Sequence, residues 1–375
     1  MNPSNGPSLV REILAPADVR LNGDRPWDIR VHDPRFSDRV LAGGSLALGE
    51  SYMDGWWDCE ALDRCFHRIL AHRLDKQAAR KSLRLLPGVL AARVRNAQNR
   101  SRAFEIGRRH YDIGNRLFER MLDPWLNYSC GYWENADTLE EAQEAKLELV
   151  CRKIGLRPGM SLLDIGCGWG GLAGYAAARH GASVHGVTVS REQVAFARDF
   201  CKGLDVRIEL RDYRELREPY DRIVSIGMFE HVGHRNYRRF MRVVRRCLKD
   251  GGLFLLHTIG GNTSVHTTDP WIRRYIFPHS MLPSARQIAK AAEGLFVLED
   301  WHSFGHHYDP TLMAWHRNFT ESWPELARTY DERFHRMWSY YLLSCAGSFR
   351  ARRNQLWQIV FSKNGVPGGY RSIRS

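Results

Sequence analysis

Long apolar runs are missing from this chain of 375 residues. No stretch reaches the roughly 18 consecutive apolar residues that a membrane-spanning helix needs. The first residues, MNPSNGPSLVREIL, also lack the basic-then-apolar order of a signal peptide. The sequence therefore predicts a protein that stays in the cytoplasm and spans no membrane.

The cysteines lack any regular spacing. The eight cysteines include no CxxC pair, whereas zinc sites and disulfide-rich secreted domains depend on such spacing. We therefore expect reduced thiols, as in a cytosolic enzyme, and no metal site.

Acidic residues are fewer than basic ones, 42 against 55, which leaves a formal net charge of +13. This surplus predicts an anionic partner, which charge alone does not identify: nucleic acid, acidic lipid or an acidic substrate. The hydrophobic content of 43% excludes a disordered chain, and the length predicts two domains.

Much of the positive charge lies in residues 73–109, which contain eleven Lys or Arg and two acidic residues. Apolar residues broken by Pro87 and Gly88 predict two short basic amphipathic pieces around a turn. Such pieces are suited to bind an anionic membrane surface. RNA is another polyanion that they could bind. A solvated connector between domains is the alternative interpretation.

Predicted strands and helices alternate from residue 160 onward. This order predicts an α/β fold with a mostly parallel, doubly wound sheet. Ligands of such sheets bind beyond the carboxyl ends of the strands. We divide the chain into an N-terminal domain (1–85), a basic linker (86–103) and a catalytic domain (104–375).

A glycine-rich turn follows the first predicted strand of the sheet. Asp164, Gly166, Gly168 and Gly170 form the pattern D-x-G-x-G-x-G. An NAD site would need an acidic residue at the end of the second strand, but that strand ends in VTVS. The turn instead resembles the first motif of Rossmann-like S-adenosylmethionine-dependent methyltransferases, whose glycines let the backbone approach the ligand closely.

Polar residues follow the next two predicted strands. Thr188 and Gln193 flank the end of the second strand and the start of the next helix, where they can hold a ribose. Asp212 and Tyr213 follow the third strand, where a carboxylate and a ring can contact adenine. We expect all four residues to bind the same cofactor.

Longer strings carry a more specific resemblance, which covers nearly the whole chain. They make it similar to the bacterial cyclopropane-fatty-acyl-phospholipid synthases. The related mycolic-acid cyclopropane synthases generally lack such an N-terminal domain. The matching strings are GESYMDGWWDCEALD (49–63), HYDIGNRLFERMLDPWLNYSCGYW (110–133), LDIGCGWGGLAGYAA (163–177), MFEHVGHRNY (228–237), LLHTIG (255–260), YDPTLMAWH (308–316) and CAGSFRARRNQLWQIVF (345–361).

The resemblance implies a Rossmann-like catalytic domain with a smaller N-terminal domain and a helical, aromatic-rich cap over the acyl chain. It also implies methyl transfer from S-adenosylmethionine to the cis double bond of an unsaturated acyl chain in a membrane phospholipid. The resulting carbocation loses a proton to a bound bicarbonate, and a cyclopropane ring closes. The positions that match the bicarbonate ligands are Cys130, Glu230, His257, the backbone N–H of Ile259, and Tyr308.

The resemblance implies further sites and partners. Tyr128 and Ser129 match a pair that contacts the cofactor, and Cys345 matches a cysteine long considered for the active site. We keep Cys345 as a candidate but favour a packing role, since the reaction needs no thiolate. The family also implies a homodimer that associates with the inner membrane from the cytoplasm, engages lipid through its N-terminal domain and binds no nucleic acid.

Three alternatives stay open at this point. An RNA methyltransferase would use the basic segment as its nucleic-acid arm, but the chain lacks a recognisable RNA-binding module. A lipid-surface module without activity is disfavoured by the intact bicarbonate set. Methylation without ring closure is the third, because relatives with that outcome share the cofactor fold.

Overall fold

The computed structural model describes residues 6–74 and 114–374. The chain divides into two compact units, each assembled from three separated segments. The described residues are 6–74, 266–278 and 308–354 in the first unit, and 114–265, 279–307 and 355–374 in the second. The predicted boundaries at residues 85 and 103 lie outside the described residues and stay predictions, as does the structure of the basic segment.

Helices and short strands precede a region of regular α/β alternation. In chain order the elements are α1 (Gly6–Leu14), β1 (Arg30–Val31), α2 (Phe36–Met53), β2 (Trp57–Asp58), α3 (Leu62–Ala71), α4 (Asn115–Met121), α5 (Leu139–Lys153), β3 (Ser161–Ile165), α6 (Gly171–His180), β4 (Ser183–Thr188), α7 (Arg191–Phe200), β5 (Val206–Leu210), β6 (Tyr220–Ile226), α8 (Tyr237–Cys247), β7 (Leu248–Gly261), α9 (Pro270–Tyr275), α10 (Ala285–Ala292), β8 (Val297–Ser303), α11 (Tyr308–Glu321), α12 (Trp323–Leu326), α13 (Glu332–Arg350) and β9 (Asn354–Ser362).

The second unit contains a seven-stranded sheet in the order β5-β4-β3-β6-β7-β9-β8. Strands β3 to β7 pair in parallel, and β8 pairs with β9 antiparallel. The central strands β3 and β7 are largely buried, as in sheets covered on both faces, and two buried apolar clusters pack against the sheet. The predicted Rossmann-like fold is confirmed, whereas β8 and β9 were not predicted.

The strand order positions the site. Strands β4 and β5 lie on one side of β3, and β6 and β7 lie on the other. The chain thus builds the sheet outward from β3 on one side and then returns to build it on the other. At such a reversal of strand order a crevice opens at the carboxyl end of β3, where these sheets bind their ligands.

The first unit is built around the packing of α13 against α3. The guanidinium of Arg350, at the end of α13, donates to Asp309 in α11 at 2.8 Å and to Asp63 in α3 at 2.6 Å. Trp315 and Trp338 are fully buried, so these two aromatic residues belong to the helical core.

Within residues 6–74 and 114–374, no helix combines the length and apolarity that crossing a membrane would require.

Candidate active site

The glycine-rich turn joins β3 to α6 through backbone conformations that favour glycine. The φ angles of Gly166, Gly168 and Gly170 are +89°, +54° and +92°, a region that residues with a Cβ adopt rarely. A Cβ on Gly166 would lie 2.7 Å from the Cβ of Met228, whereas a Cβ on Gly168 would enter open space. The turn thus leaves room for a ligand above Gly168.

A cavity opens above this turn and fits the predicted cofactor. Nine of the ten predicted cofactor residues line it. The exception is Gly170, whose hypothetical Cβ would meet Cys201 and Ala197 of the α7 region, so this glycine allows close helix packing. The nine lining residues are Tyr128, Ser129, Asp164, Gly166, Gly168, Thr188, Gln193, Asp212 and Tyr213.

The polar residues that follow β4 and β5 are held in place by local hydrogen bonds. Thr188 Oγ1 donates to Gln193 Oε1 at 2.8 Å. Asp212 accepts bonds from the backbone N–H and the guanidinium of Arg214, at 2.9 and 2.7 Å. Arg214 also lines the cavity and was not predicted, because an arginine two residues after an aspartate is unremarkable in a loop. The Asp212 carboxylate is therefore fixed by its neighbour.

A buried lysine that was not predicted also lines the cavity. Lys146 of α5 donates from Nζ to Asn127 Oδ1 at 2.7 Å and to Ser129 Oγ at 3.1 Å. Burial lowers the pKa of Lys146 to about 8, and burial raises the pKa of Asp164 to about 7. Its position was detectable, because Lys146 falls on the same helix face as the buried Gln143 and Val150. Lys146 orients the predicted cofactor contact Ser129.

Glu230 follows β6 in the turn Phe229–His231, and its carboxylate reaches β7. Its Oε1 accepts a hydrogen bond from the Ile259 N–H at 2.7 Å. Its Oε2 is buried and has no hydrogen-bond partner among the described residues. Burial raises the pKa of Glu230 to about 7, and the bond from Ile259 opposes this rise. The family resemblance implies that the Ile259 N–H binds bicarbonate; in this structure it donates to Glu230, and its role toward bicarbonate stays a prediction.

His257 lies in β7, paired in register with Ile226 of β6. Its ring is 1% exposed, and its Nε2 has no hydrogen-bond partner in the described part of the chain. Burial, followed by the charges of Lys146 and Lys153, holds the pKa of His257 well below its usual value. The imidazole is therefore neutral, with one ring nitrogen available to a ligand.

The remaining predicted residues are placed as follows. Cys130 belongs to the second unit and is fully buried, with Sγ 3.2 Å from the Gly131 carbonyl oxygen. Tyr308 belongs to the first unit, where its ring stacks on Phe349 with centroids 4.5 Å apart. Cys345 also lies in the first unit, and burial raises the pKa of its thiol to about 12, which disfavours the reactive thiolate. The catalytic roles of all three stay predictions.

Known proteins resemble this chain over most of its length. A sequence profile of the mycolic acid cyclopropane synthetase family matches residues 98–359. The chain is 54% identical over 366 residues to the cyclopropane-fatty-acyl-phospholipid synthase of Escherichia coli (strain K12), which covers 98% of this chain and 95% of that protein.

Solved structures agree with the sequence match. The cyclopropane synthase MmaA2 from Mycobacterium tuberculosis superposes with a TM-score of 0.66 and 35% identity, covering 72% of this chain and 100% of that one. The mycolic acid cyclopropane synthase CmaA1, complexed with SAH and CTAB, gives a TM-score of 0.65 and 34% identity, with coverage of 69% and 98%. The chain therefore belongs to the mycolic acid cyclopropane synthetase family and is an S-adenosylmethionine-dependent methyltransferase.

Proposed function

We propose that the enzyme converts cis double bonds of unsaturated acyl chains in membrane phospholipids into cyclopropane rings, with a bound bicarbonate ion as the base. The substrate follows the relative from Escherichia coli, whose name specifies fatty-acyl phospholipid. The observation that carries the chemistry is the pair of unsatisfied buried atoms, Glu230 Oε2 and His257 Nε2.

These two atoms suit an ion that both donates and accepts hydrogen bonds. A buried polar atom without a partner costs about 1–3 kcal/mol, so two at neighbouring strand ends indicate a polar ligand. The hydroxyl of bicarbonate can donate to the Glu230 carboxylate, and its charged oxygens can accept from an imidazole N–H. Bicarbonate, when bound, supplies the base that takes the proton released in ring closure.

The cofactor cavity performs the other part of the proposal. S-adenosylmethionine, when bound, supplies the methyl group. Thr188 and Gln193 would hold the ribose, Asp212 and Tyr213 the adenine, and Ser129, oriented by Lys146, the methionine end. The glycine turn would carry the ligand close to the backbone because side chains are absent there. Burial around Glu230 and His257 would exclude water, which protects a carbocation from capture.

The test is mass spectrometry of fatty acids after the purified protein has acted on vesicles of unsaturated phospholipid with S-adenosylmethionine. The reaction is run with and without sodium bicarbonate. A mass gain of one methylene that survives hydrogenation is expected, because a cyclopropane lacks a reducible double bond, and turnover should depend on bicarbonate.

A second candidate, methylation without ring closure, is favoured by one relative. The chain is 38% identical over 272 residues to a probable fatty acid methyltransferase of Pseudomonas putida. A product of the same mass gain that is lost on hydrogenation would identify this outcome. A complete lack of lipid product would contradict both candidates and favour the RNA methyltransferase or the inactive module.

We further propose that the enzyme acts as a homodimer at the cytoplasmic face of an anionic membrane. The support for membrane binding is the net charge and the basic residues in segment 73–109, whereas the homodimer rests on the family resemblance alone. The N-terminal domain is proposed to contribute to dimerisation and lipid engagement.

Changing Arg80, Lys81 and Arg84 together to Gln should weaken binding to anionic vesicles by about 10²-fold and flatten its salt dependence, since each basic residue near the surface contributes about 1 kcal/mol. Vesicle cosedimentation over a series of salt concentrations measures both effects. The double change Arg80→Lys and Arg84→Lys retains the charge and is the matched control. Equal binding of the Gln and Lys variants would leave the linker interpretation in place.

A further inference from the structure

A row of buried side chains extends behind His257, away from the atom assigned to bicarbonate. Lys153, at the end of α5, donates from Nζ to Gln358 Oε1 in β9 at 2.8 Å. Gln358 Nε2 lies 3.3 Å from His257 Nδ1. Lys153 and Gln358 are 0% exposed and His257 is 1% exposed. The proposed chemistry uses neither Lys153 nor Gln358, although burying a lysine is costly.

The chemistry of the side chains in this row determines which group donates and which accepts in each hydrogen bond. The protonated Lys153 side chain only donates hydrogen bonds, so Gln358 turns its oxygen toward it. Burial lowers the pKa of Lys153 to about 7, so this direction applies below that pH. The amide nitrogen of Gln358 then faces His257 and can only donate, so His257 Nδ1 must be the acceptor. A neutral imidazole carries one proton, which therefore lies on Nε2. We propose that Lys153 and Gln358 are positioning residues that fix His257 in the tautomer with its proton on Nε2.

This tautomer is the one that a bound anion requires, and in this respect the inference rests on the proposed function. His257 Nε2 is the buried ring nitrogen without a partner among the described residues. With a proton it is a hydrogen-bond donor toward an oxyanion, and without one it is a lone pair that repels the same oxyanion. At metal sites, groups that bond to the other ring nitrogen of a ligating histidine commonly fix its tautomer in this way.

The surroundings of Lys153 support a fixed orientation. Its Nζ also lies 2.9 Å from Nδ1 of His302 in β8, and burial lowers the pKa of His302 to about 3. His302 is therefore neutral and can accept a bond from Lys153. The Tyr370 hydroxyl donates to the Lys153 carbonyl oxygen at 2.8 Å. These contacts hold Lys153 at the position where it keeps the Gln358 amide oxygen turned toward it and the amide nitrogen turned toward His257.

The test is Gln358→Glu, which reverses the direction of the row with almost no change in shape. A carboxylate still accepts from Lys153, but it presents a second acceptor to His257 Nδ1, so the His257 proton should move from Nε2 to Nδ1. Nitrogen NMR of histidine-labelled protein distinguishes the tautomers, because protonated and unprotonated ring nitrogens resonate far apart. We expect loss of one oxyanion donor to lower turnover at a fixed sodium bicarbonate concentration by about 10²-fold, with S-adenosylmethionine binding unchanged.

Two further variants control this experiment. Gln355→Glu introduces the same buried carboxylate elsewhere on β9 and should leave the His257 tautomer unchanged. If Gln358→Glu does not fold, Lys153→Met removes the charge at similar length and should give a mixture of tautomers, because Gln358 can then turn either way.

The outcomes separate this inference from the proposed function. A wild-type His257 protonated on Nδ1, or a Gln358→Glu variant with unchanged tautomer, overturns the inference. Loss of turnover in Gln355→Glu equal to that in Gln358→Glu also overturns it, because a structural role would then suffice. Wild-type turnover that is independent of bicarbonate refutes the proposed base, while the NMR result still decides the tautomer.

Discussion

Glu230→Gln is expected to lower turnover by about 10²–10³-fold while S-adenosylmethionine still binds. The glutamine can keep its oxygen at the position that accepts from Ile259 N–H. Its NH₂ group then replaces Oε2, which converts the unsatisfied acceptor into a donor. A bicarbonate hydroxyl would lose its acceptor, whereas the cofactor cavity, which Glu230 does not line, would be intact.

Steady-state kinetics with saturating vesicles and calorimetric titration of the cofactor check the two halves of this expectation. Glu293→Gln makes the same chemical change at an exposed residue and should have wild-type activity. A Glu230→Gln enzyme with normal turnover that still requires bicarbonate would exclude the proposed orienting role.

The pH dependence of turnover should report the same carboxylate. Burial raises the pKa of Glu230 from 4.5 to about 7, so the acceptor form is present above that pH and is lost below it. Turnover at constant bicarbonate concentration should therefore rise as the pH is raised through about 7. Burial also lowers the pKa of Lys153 to about 7. The rise in turnover near pH 7 is therefore assigned to Glu230 only if this rise disappears in Glu230→Gln.

Gly347→Ala should destabilise the first unit by about 1–3 kcal/mol, the usual cost of overpacking. Gly347 lies inside α13, where alanine would ordinarily stabilise the helix by about 0.5–1 kcal/mol. Here the added Cβ would lie 2.5 Å from the Asp63 carbonyl oxygen and 2.7 Å from the His67 nitrogen, both in α3. These are backbone atoms, so the helices must separate.

Gly174→Ala is the matched control for this packing argument. It adds the same methyl group inside α6, where its nearest neighbours would be 3.5 Å away, an ordinary van der Waals distance. We expect equal or higher stability than wild type, measured by calorimetry or urea unfolding. Destabilisation of both variants by the same amount would refute close packing of α13 on α3 as the cause.

The sequence indicated the sheet and the cofactor cavity because their signals are local. Alternating apolar strands and helices predicted β3 to β7, and the polar residues at strand ends predicted most of the cavity wall. Glu230 and His257 were placed at adjacent strand ends for the same reason. Their contact through Ile259 depends on how a turn meets a neighbouring strand, which no local pattern specifies.

The buried charged and polar residues could not be predicted in this way. Lysine, arginine and glutamine are mostly exposed in proteins, so Lys153 and Arg214 gave no signal of burial. Gln358 interrupts the apolar run LWQIVF in β9, and this interruption was the hint that the sequence offered for its burial. The joining of residues 308–354 to the N-terminal segment also went unpredicted, because it depends on contacts between distant parts of the chain.

The composition of the first unit has a consequence for synthesis on the ribosome. Asp63 and Arg350, which pair across α3 and α13, are 287 residues apart in the chain. Translation adds roughly 5–20 residues each second, so the newly made helices α1 to α3 wait at least about 15 seconds for their partner. During this interval the buried faces of Leu62 and Phe66 are exposed on the nascent chain. The N-terminal segment therefore needs protection from aggregation until α13 has been made.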